Sequence, residues 1–153
     1  MSTRKASRAP SPPHGTRTWL AVVRAYNLCD AAMASRLAEI GLRVGEHEVL
    51  ATLATAPGIT QQELAARCFV AKSGVSMLLA QMEAKGWVRR EADASDARVK
   101  RLALTAAGQV IAAKSMKVQS EIVTAMVAGS SDEALAFVTA VMESVSARLE
   151  TLR

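Results

Sequence analysis

Arg89, Arg90, Arg98, Lys100 and Arg101 crowd one short stretch of this chain, with Asp93, Ser95 and Asp96 between them. Guanidinium and ammonium groups at that density suit phosphate oxygens, and the intervening Asp and Ser residues are turn formers. Asp96 stands two residues before Arg98, where its carboxylate can hold the guanidinium in one direction. An extended arginine held in that way suits a narrow minor groove, which it reads by width and negative potential. Arg89, Arg90, Lys100 and Arg101 suit backbone phosphates, and contacts of that kind weaken steeply with salt. The plainer alternative is an ordinary charged hairpin balanced by Glu91, Asp93 and Asp96.

A second set of candidates lies upstream. Ser76 and Gln81 can donate to and accept from base edges, Gln being suited to adenine, and Met77 can touch a thymine methyl. Lys72 and Ser73 fall at the expected start of the same helix, where amides and the helix dipole favour a phosphate. Small and polar side chains here let a helix backbone approach bases closely; the alternative is a solvated face on a core helix.

Other reactive side chains point to less. Glu46-His47-Glu48 has the types for acid, base and orienter, but no nucleophile motif, glycine-rich phosphate loop or cofactor fingerprint accompanies it, so no enzyme and no cofactor is expected. The only other histidine is His14, so too few nitrogen or sulfur ligands are present for a metal site, and none is expected. Cys29 and Cys68 are expected to be free thiols. Both are redox candidates, Cys68 the stronger because Arg67 before it would modestly favour its thiolate; the plainer alternative is a pair of buried inert thiols.

The elements that must position these groups are mostly helical. Half of the 153 residues are hydrophobic but only 3% are aromatic, so the core is built from Ala, Val, Leu, Ile and Met, several of them strong helix formers. The net charge of +5 is compatible with a polyanionic partner, chiefly because of where the charge falls. Residues 1–15 are basic and proline-rich and read as a disordered arm. A long helix follows to Ile40, stopped by Gly41, and a second runs from about Gly45 to Ala56, ending at Pro57-Gly58. Thr60 and Glu63 form a capping box for a third helix. Ser73 caps a fourth that buries Val75, Leu78, Leu79 and Met82 and ends at Gly86. Strands over Trp87–Glu91 and Val99–Leu104 flank the basic tip. A fifth helix starts at Thr105 and runs to about Val127. Ser130 with Glu133 caps the last, whose Leu135, Val138, Met142, Val145, Leu149 and Leu152 alternate at spacings of three and four as an a/d seam.

A helix pair followed at once by a basic two-stranded ribbon suits duplex DNA, one helix in the major groove and the ribbon along the backbone. The expected fold is mainly α with a small two- or three-stranded β wing. Residues 41–105 form a winged helix-turn-helix, and residues 16–40 and 106–153 form a helical dimerisation region.

These residues resemble the MarR family (multiple antibiotic resistance regulators) from about Trp19 to the C-terminus. The most specific piece is Asp96-x-Arg98 followed by Leu104-Thr105-x-x-Gly108. Gly41-Leu42, Val49-Leu50, Pro57-Gly58-Ile59-Thr60-Gln61, Glu63-Leu64-Ala65 and Glu83-x-Lys85-Gly86 follow the same pattern in order. The resemblance implies a homodimer joined through N- and C-terminal helices, and a repressor that binds near-palindromic duplex sites with half-sites about one DNA turn apart. It also implies minor-groove entry for Arg98, oriented by Asp96. Ala97 departs from the pattern, standing where many relatives carry a second basic residue.

The resemblance further implies release from DNA by a small aromatic or phenolic ligand bound between the dimerisation helices and the DNA lobe. The first and second helices and the start of the fifth would line that crevice, with Trp19, Arg24 and Tyr26 supplying stacking and charge; the alternative places Trp19 and Tyr26 in a dimer core. Two other functions stay open, a thiol-based redox regulator of the same fold and a winged-helix module that binds protein. The apolar run Trp19–Val23 is broken by Arg24 and too short for a membrane span, so a cytoplasmic protein without membrane contact is expected.

Overall fold

The computed structural model describes residues 13–69 and 74–152. Among them are six helices and two strands: α1 (Thr16–Ala38), α2 (Val44–Thr55), α3 (Gln61–Arg67), α4 (Val75–Ala84), β1 (Val88–Ala92), β2 (Lys100–Leu104), α5 (Ala106–Val127) and α6 (Asp132–Glu150). Lys72, Ser73 and most of the N-terminal arm lie outside the described residues.

The middle of the chain folds around α2. Val49, Leu50 and Leu53 are fully buried and meet Leu37 of α1, Leu64 of α3, Leu79 and Met82 of α4 and Leu102 of β2 in one core. α2 is the shared support because it packs on α1, α3, α4, α5 and β2. α3 opens with the capping box read from the sequence: the Glu63 amide donates to Thr60 Oγ1 at 3.2 Å and the Thr60 amide donates to Glu63 Oε2 at 2.7 Å. α4 buries Val75, Leu79 and Met82 and leaves Ser76, Met77, Ala80 and Gln81 exposed. Gly74 precedes α4 as its N-cap without a side-chain hydrogen bond.

β1 and β2 pair antiparallel, Val88 opposite Leu104, Arg90 opposite Leu102 and Ala92 opposite Lys100. Residues 58–60 add a minimal third strand. The Leu102 amide donates to the Ile59 carbonyl at 2.8 Å, the Gly58 amide to the Leu102 carbonyl at 2.9 Å, and Thr60 bridges Arg101.

The Leu-Thr-x-x-Gly signature is where the wing joins α5. Thr105 Oγ1 donates to the Gly86 carbonyl and accepts from the Gly108 amide at 2.9 Å, while the Thr105 amide donates to the Trp87 carbonyl at 3.0 Å. Gly108 sits so close to that strand that a Cβ would lie 1.9 Å from the Trp87 oxygen. No other residue type fits there without moving the helix or the strand.

The last helix differs from expectation at its start. Ser131, not Ser130, is the N-cap, its Oγ accepting from the Ala134 amide at 3.2 Å, and the Ser130–Glu133 box does not form. One residue of register decides this, because Gly129 takes φ 80° and the turn needs Ser130 before the cap. Within the single chain α6 has no buried residue.

Candidate nucleic-acid interface

Two surfaces on one side of the fold carry the DNA chemistry expected of the sequence. The first is the outer face of α4. Ser76, Met77 and Gln81 are all exposed; Met77 and Gln81, four positions apart, lie side by side, with Ser76 about 100° round the helix from Met77. Behind them, Gln81 Oε1 accepts a hydrogen bond from Arg43 Nη2 at 2.7 Å. Arg43 is held in turn by Glu46, whose Oε1 lies 3.4 Å from the same Nη2 and whose Oε2 accepts from the Arg43 amide at 2.9 Å.

Glu46 is almost completely buried, and Lys85 Nζ donates to it while stacking 4.5 Å above the Trp87 ring. Burial alone would raise its pKa. The Lys85 ammonium and the Arg43 amide and guanidinium outweigh that, so the carboxyl lies below its ordinary value and stays ionised.

The second surface is the wing. Asp93 organises its tip by accepting from the Ser95 amide at 2.9 Å and the Asp96 amide at 3.2 Å. Bonds from Ser95 and Arg101 hold the Asp93 carboxyl far below the usual carboxylate range. Asp96 then takes Arg98 in a two-point grip, Nε on Oδ1 at 3.1 Å and Nη2 on Oδ2 at 3.2 Å, with the Arg98 amide on Oδ1 at 3.0 Å. The Arg98 side chain remains 91% exposed. A side chain that is both fixed and open to solvent is pre-organised for an external partner.

Three of the cations expected on phosphates are already engaged within the protein. Arg90 Nε lies 3.0 Å from both Glu83 oxygens and its Nη1 donates to Gln61 Oε1 at 3.1 Å, tying the wing to α3 and α4. Arg101 reaches Asp93 and the Gly58 carbonyl, the latter at 2.8 Å. Arg89 donates to Glu91 at 2.6 Å. Through Glu83, Asp93 and Glu91 these three also brace the wing, as in the alternative of a charged hairpin balanced by its own carboxylates. Lys100 is exposed.

Behind the DNA lobe, a cavity of about 410 Å³ opens between α1, α2 and the middle of α5. Tyr26, His47, Glu48, Arg67, Phe69 and Gln119 are among its lining. Trp19 and Arg24, the other two residues expected at a ligand, are not among its lining. Trp19 lies two helical turns before Tyr26, and Arg24 faces away from the side that presents Tyr26, Cys29, Asp30 and Met33. The fifth helix contributes Gln119, Ile122 and Val123 instead of its first turn.

Residues 40–99 match the sequence profile of the MarR family. Over this stretch the chain is similar to the MarR family. HosA, a transcriptional regulator of Escherichia coli O157:H7, is 37% identical over 73 residues, covering 48% of this chain and 54% of HosA. The matches span 54 to 63% of the length of such curated regulators. Among solved structures, a mutant MarR of E. coli complexed with operator DNA aligns with TM-score 0.73 and 20% identity, over 88% of this chain and 99% of that one. BpsR of Bordetella bronchiseptica, whose DNA binding is regulated by 6-hydroxynicotinic acid, aligns with TM-score 0.76 and 14% identity, over 90% and 98%. These likenesses establish the winged-helix fold, and the related proteins are transcriptional regulators rather than enzymes.

Glu46, His47 and Glu48 do not all share a site, because Glu46 points away from the cavity that His47 and Glu48 line. Glu46 faces Lys85, Glu48 accepts from the Phe69 amide, and His47 turns toward the cavity. Among the described residues no three His, Cys, Asp or Glu side chains gather as metal ligands. Cys68 fits the inert-thiol alternative better than the redox one. It is buried, and burial with the nearby Glu48 charge pushes its thiol up to about 11, outweighing any help from Arg67. Cys29 is half-buried and lines the cavity.

Sequence reasoning missed Arg43, and it named His47 without its place in the cavity. His47 Nδ1 is buried and has no hydrogen-bond partner among the described residues. Burial lowers its pKa against the opposing pull of Glu48 and Gln119, so the ring stays neutral. No local motif announces either role.

Proposed function

We propose that this protein is a sequence-specific, double-stranded DNA-binding transcriptional regulator that works as a homodimer. On this reading it represses from a near-palindromic operator in the cytoplasm and is released when a small aromatic or phenolic ligand binds. The observation that carries the reading is the Asp96–Arg98 grip at the wing tip beside an exposed small and polar face on α4. α4 would enter the major groove, with Ser76, Met77 and Gln81 at the bases, and Arg98 the adjoining minor groove. Lys100 would meet phosphate, with Lys72 and Ser73 assigned the same role from the sequence. The MarR-operator complex supports the DNA partner, and BpsR supports a ligand in the cavity at Tyr26, His47 and Arg67.

The dimer reading rests on apolar surface that one chain leaves open. Leu149 and Leu152 in and beyond α6, and Trp19, Val22 and Val23 in α1, are exposed. Surface of that extent on terminal helices is the mark of an association face.

A shift titration on the DNA beside the protein's own gene, with wild type and Arg98→Ala, tests the reading. Saturable nanomolar binding that weakens in the variant and with salt is expected. Binding no tighter than to random DNA, across that region and a randomised duplex pool, would overturn it.

A further inference from the structure

Gln81 was read from the sequence as a natural partner for adenine. That role needs both ends of its carboxamide, the NH2 donating to adenine N7 and the oxygen accepting from adenine N6. The structure engages one of those ends. Arg43 Nη2 donates to Gln81 Oε1 at 2.7 Å, and only the oxygen can face a guanidinium, which has donors and no acceptor.

Arg43 is itself fixed. Glu46 grips both its amide, at 2.9 Å, and its guanidinium, at 3.4 Å, and Glu46 is buried and locked to Lys85. The Arg43–Gln81 bridge lies at a notch of about 290 Å³ between the start of α2 and the outer face of α4, which Met77 also lines. It therefore forms at the surface through which α4 would read bases.

Resting on the DNA-binding reading above, we propose that Arg43 is a positioning residue for base readout. By holding the Gln81 oxygen on the protein, it leaves Gln81 with its NH2 pair turned outward. A donor-only side chain matches the base whose major-groove edge offers two acceptors and no donor, which is guanine with N7 and O6. The half-site therefore carries guanine at the position that Gln81 reads. Arg43 sets this choice from outside the helix that touches the base.

Selection of the full-length protein from a randomised duplex pool tests the assignment, comparing wild type with Gln81→Ala, Arg43→Met and Arg43→Lys. Gln81→Ala identifies the symmetric pair of positions that loses preference. Wild type is expected to favour guanine over adenine there by about tenfold. Arg43→Met, which keeps the length and removes the donors, frees the oxygen and shifts the preference to adenine. Arg43→Lys, which retains a donor, keeps guanine. A uniform loss of phosphate attraction cannot imitate this, because the readout is a ratio between bases.

Glu46 keeps Lys85 and the residue-43 amide in every variant, and equal thermal midpoints would confirm intact folding. The proposal is overturned if Arg43→Met selects the same base as wild type, if wild type selects adenine at that position, or if Gln81→Ala changes no position. Failure of wild type to enrich any half-site would instead overturn the DNA-binding reading itself.

Discussion

Arg98 is nearly free in solvent yet held at three points by Asp96. Exposed ion pairs contribute little to stability, so the grip matters for direction and not for folding. Asp96→Ala should therefore leave the thermal midpoint unchanged while weakening DNA binding about as much as Arg98→Ala, on specific and random duplexes alike. A shift titration beside a melting curve checks both halves. If Asp96→Ala bound as tightly as wild type, the orienting role would be wrong. Cys68 gives a second test at this scale. With its thiol pushed up to about 11 and its side chain buried, a thiol reagent at pH 8 should modify Cys68 only when denaturant unfolds the chain. Mass spectrometry of the labelled protein reads this directly. Rapid labelling of the native state would restore a redox role.

At the scale of elements, α2 supports both the α4 face and the cavity: its first turn holds Arg43 and Glu46 toward α4 and turns His47 to the cavity. Burial keeps the His47 pKa below its ordinary 6.5, so the unfolded chain binds more protons as the solution becomes acidic. The stability this residue contributes is complete above about pH 6.5 and is lost as the pH falls through the folded value. Urea unfolding at pH 7.5 and 5.5 should show a fall in stability that His47→Gln reduces. An identical pH dependence in the variant would remove His47 as its source. The junction of β1 and α5 is equally specific. Gly108→Ala would drive a methyl into the Trp87 carbonyl, and a displacement of that kind costs about 1–3 kcal/mol or more. A urea midpoint that did not move would show that the junction can open.

As one chain the molecule leaves apolar surface open: α6 has no fully buried residue, and much of its seam and of the first half of α1 is exposed. No single helix among the described residues is long and apolar enough to cross a membrane. A second copy of the chain would cover this surface, and pairing would set two α4 helices at a fixed spacing on DNA. Leu149→Glu, placing a charge in the seam, should shift the mass measured by sedimentation from dimer to monomer. It should also weaken operator binding by well over tenfold, since each monomer then meets only one half-site. A variant that stayed dimeric would move the interface elsewhere.

What could be read from the sequence alone lies close together along the chain. The Thr60–Glu63 box, the Thr105–Gly108 cap, the exposed and buried faces of α4 and the Asp96–Arg98 grip all join residues two to four positions apart or follow one helical period. Local backbone geometry brings such residues together before any packing occurs, so spacing and residue type suffice. The contacts that hold the proposed interface in place span far greater distances. Arg43 meets Gln81 across 38 positions, Arg90 meets Gln61 across 29 and Arg101 meets the Gly58 carbonyl across 43. The burial of Cys68 and the place of His47 in the cavity are of the same kind. Each depends on how α2 stacks against α3, α4, α5 and the wing, a register set by the shared core and invisible in any single segment.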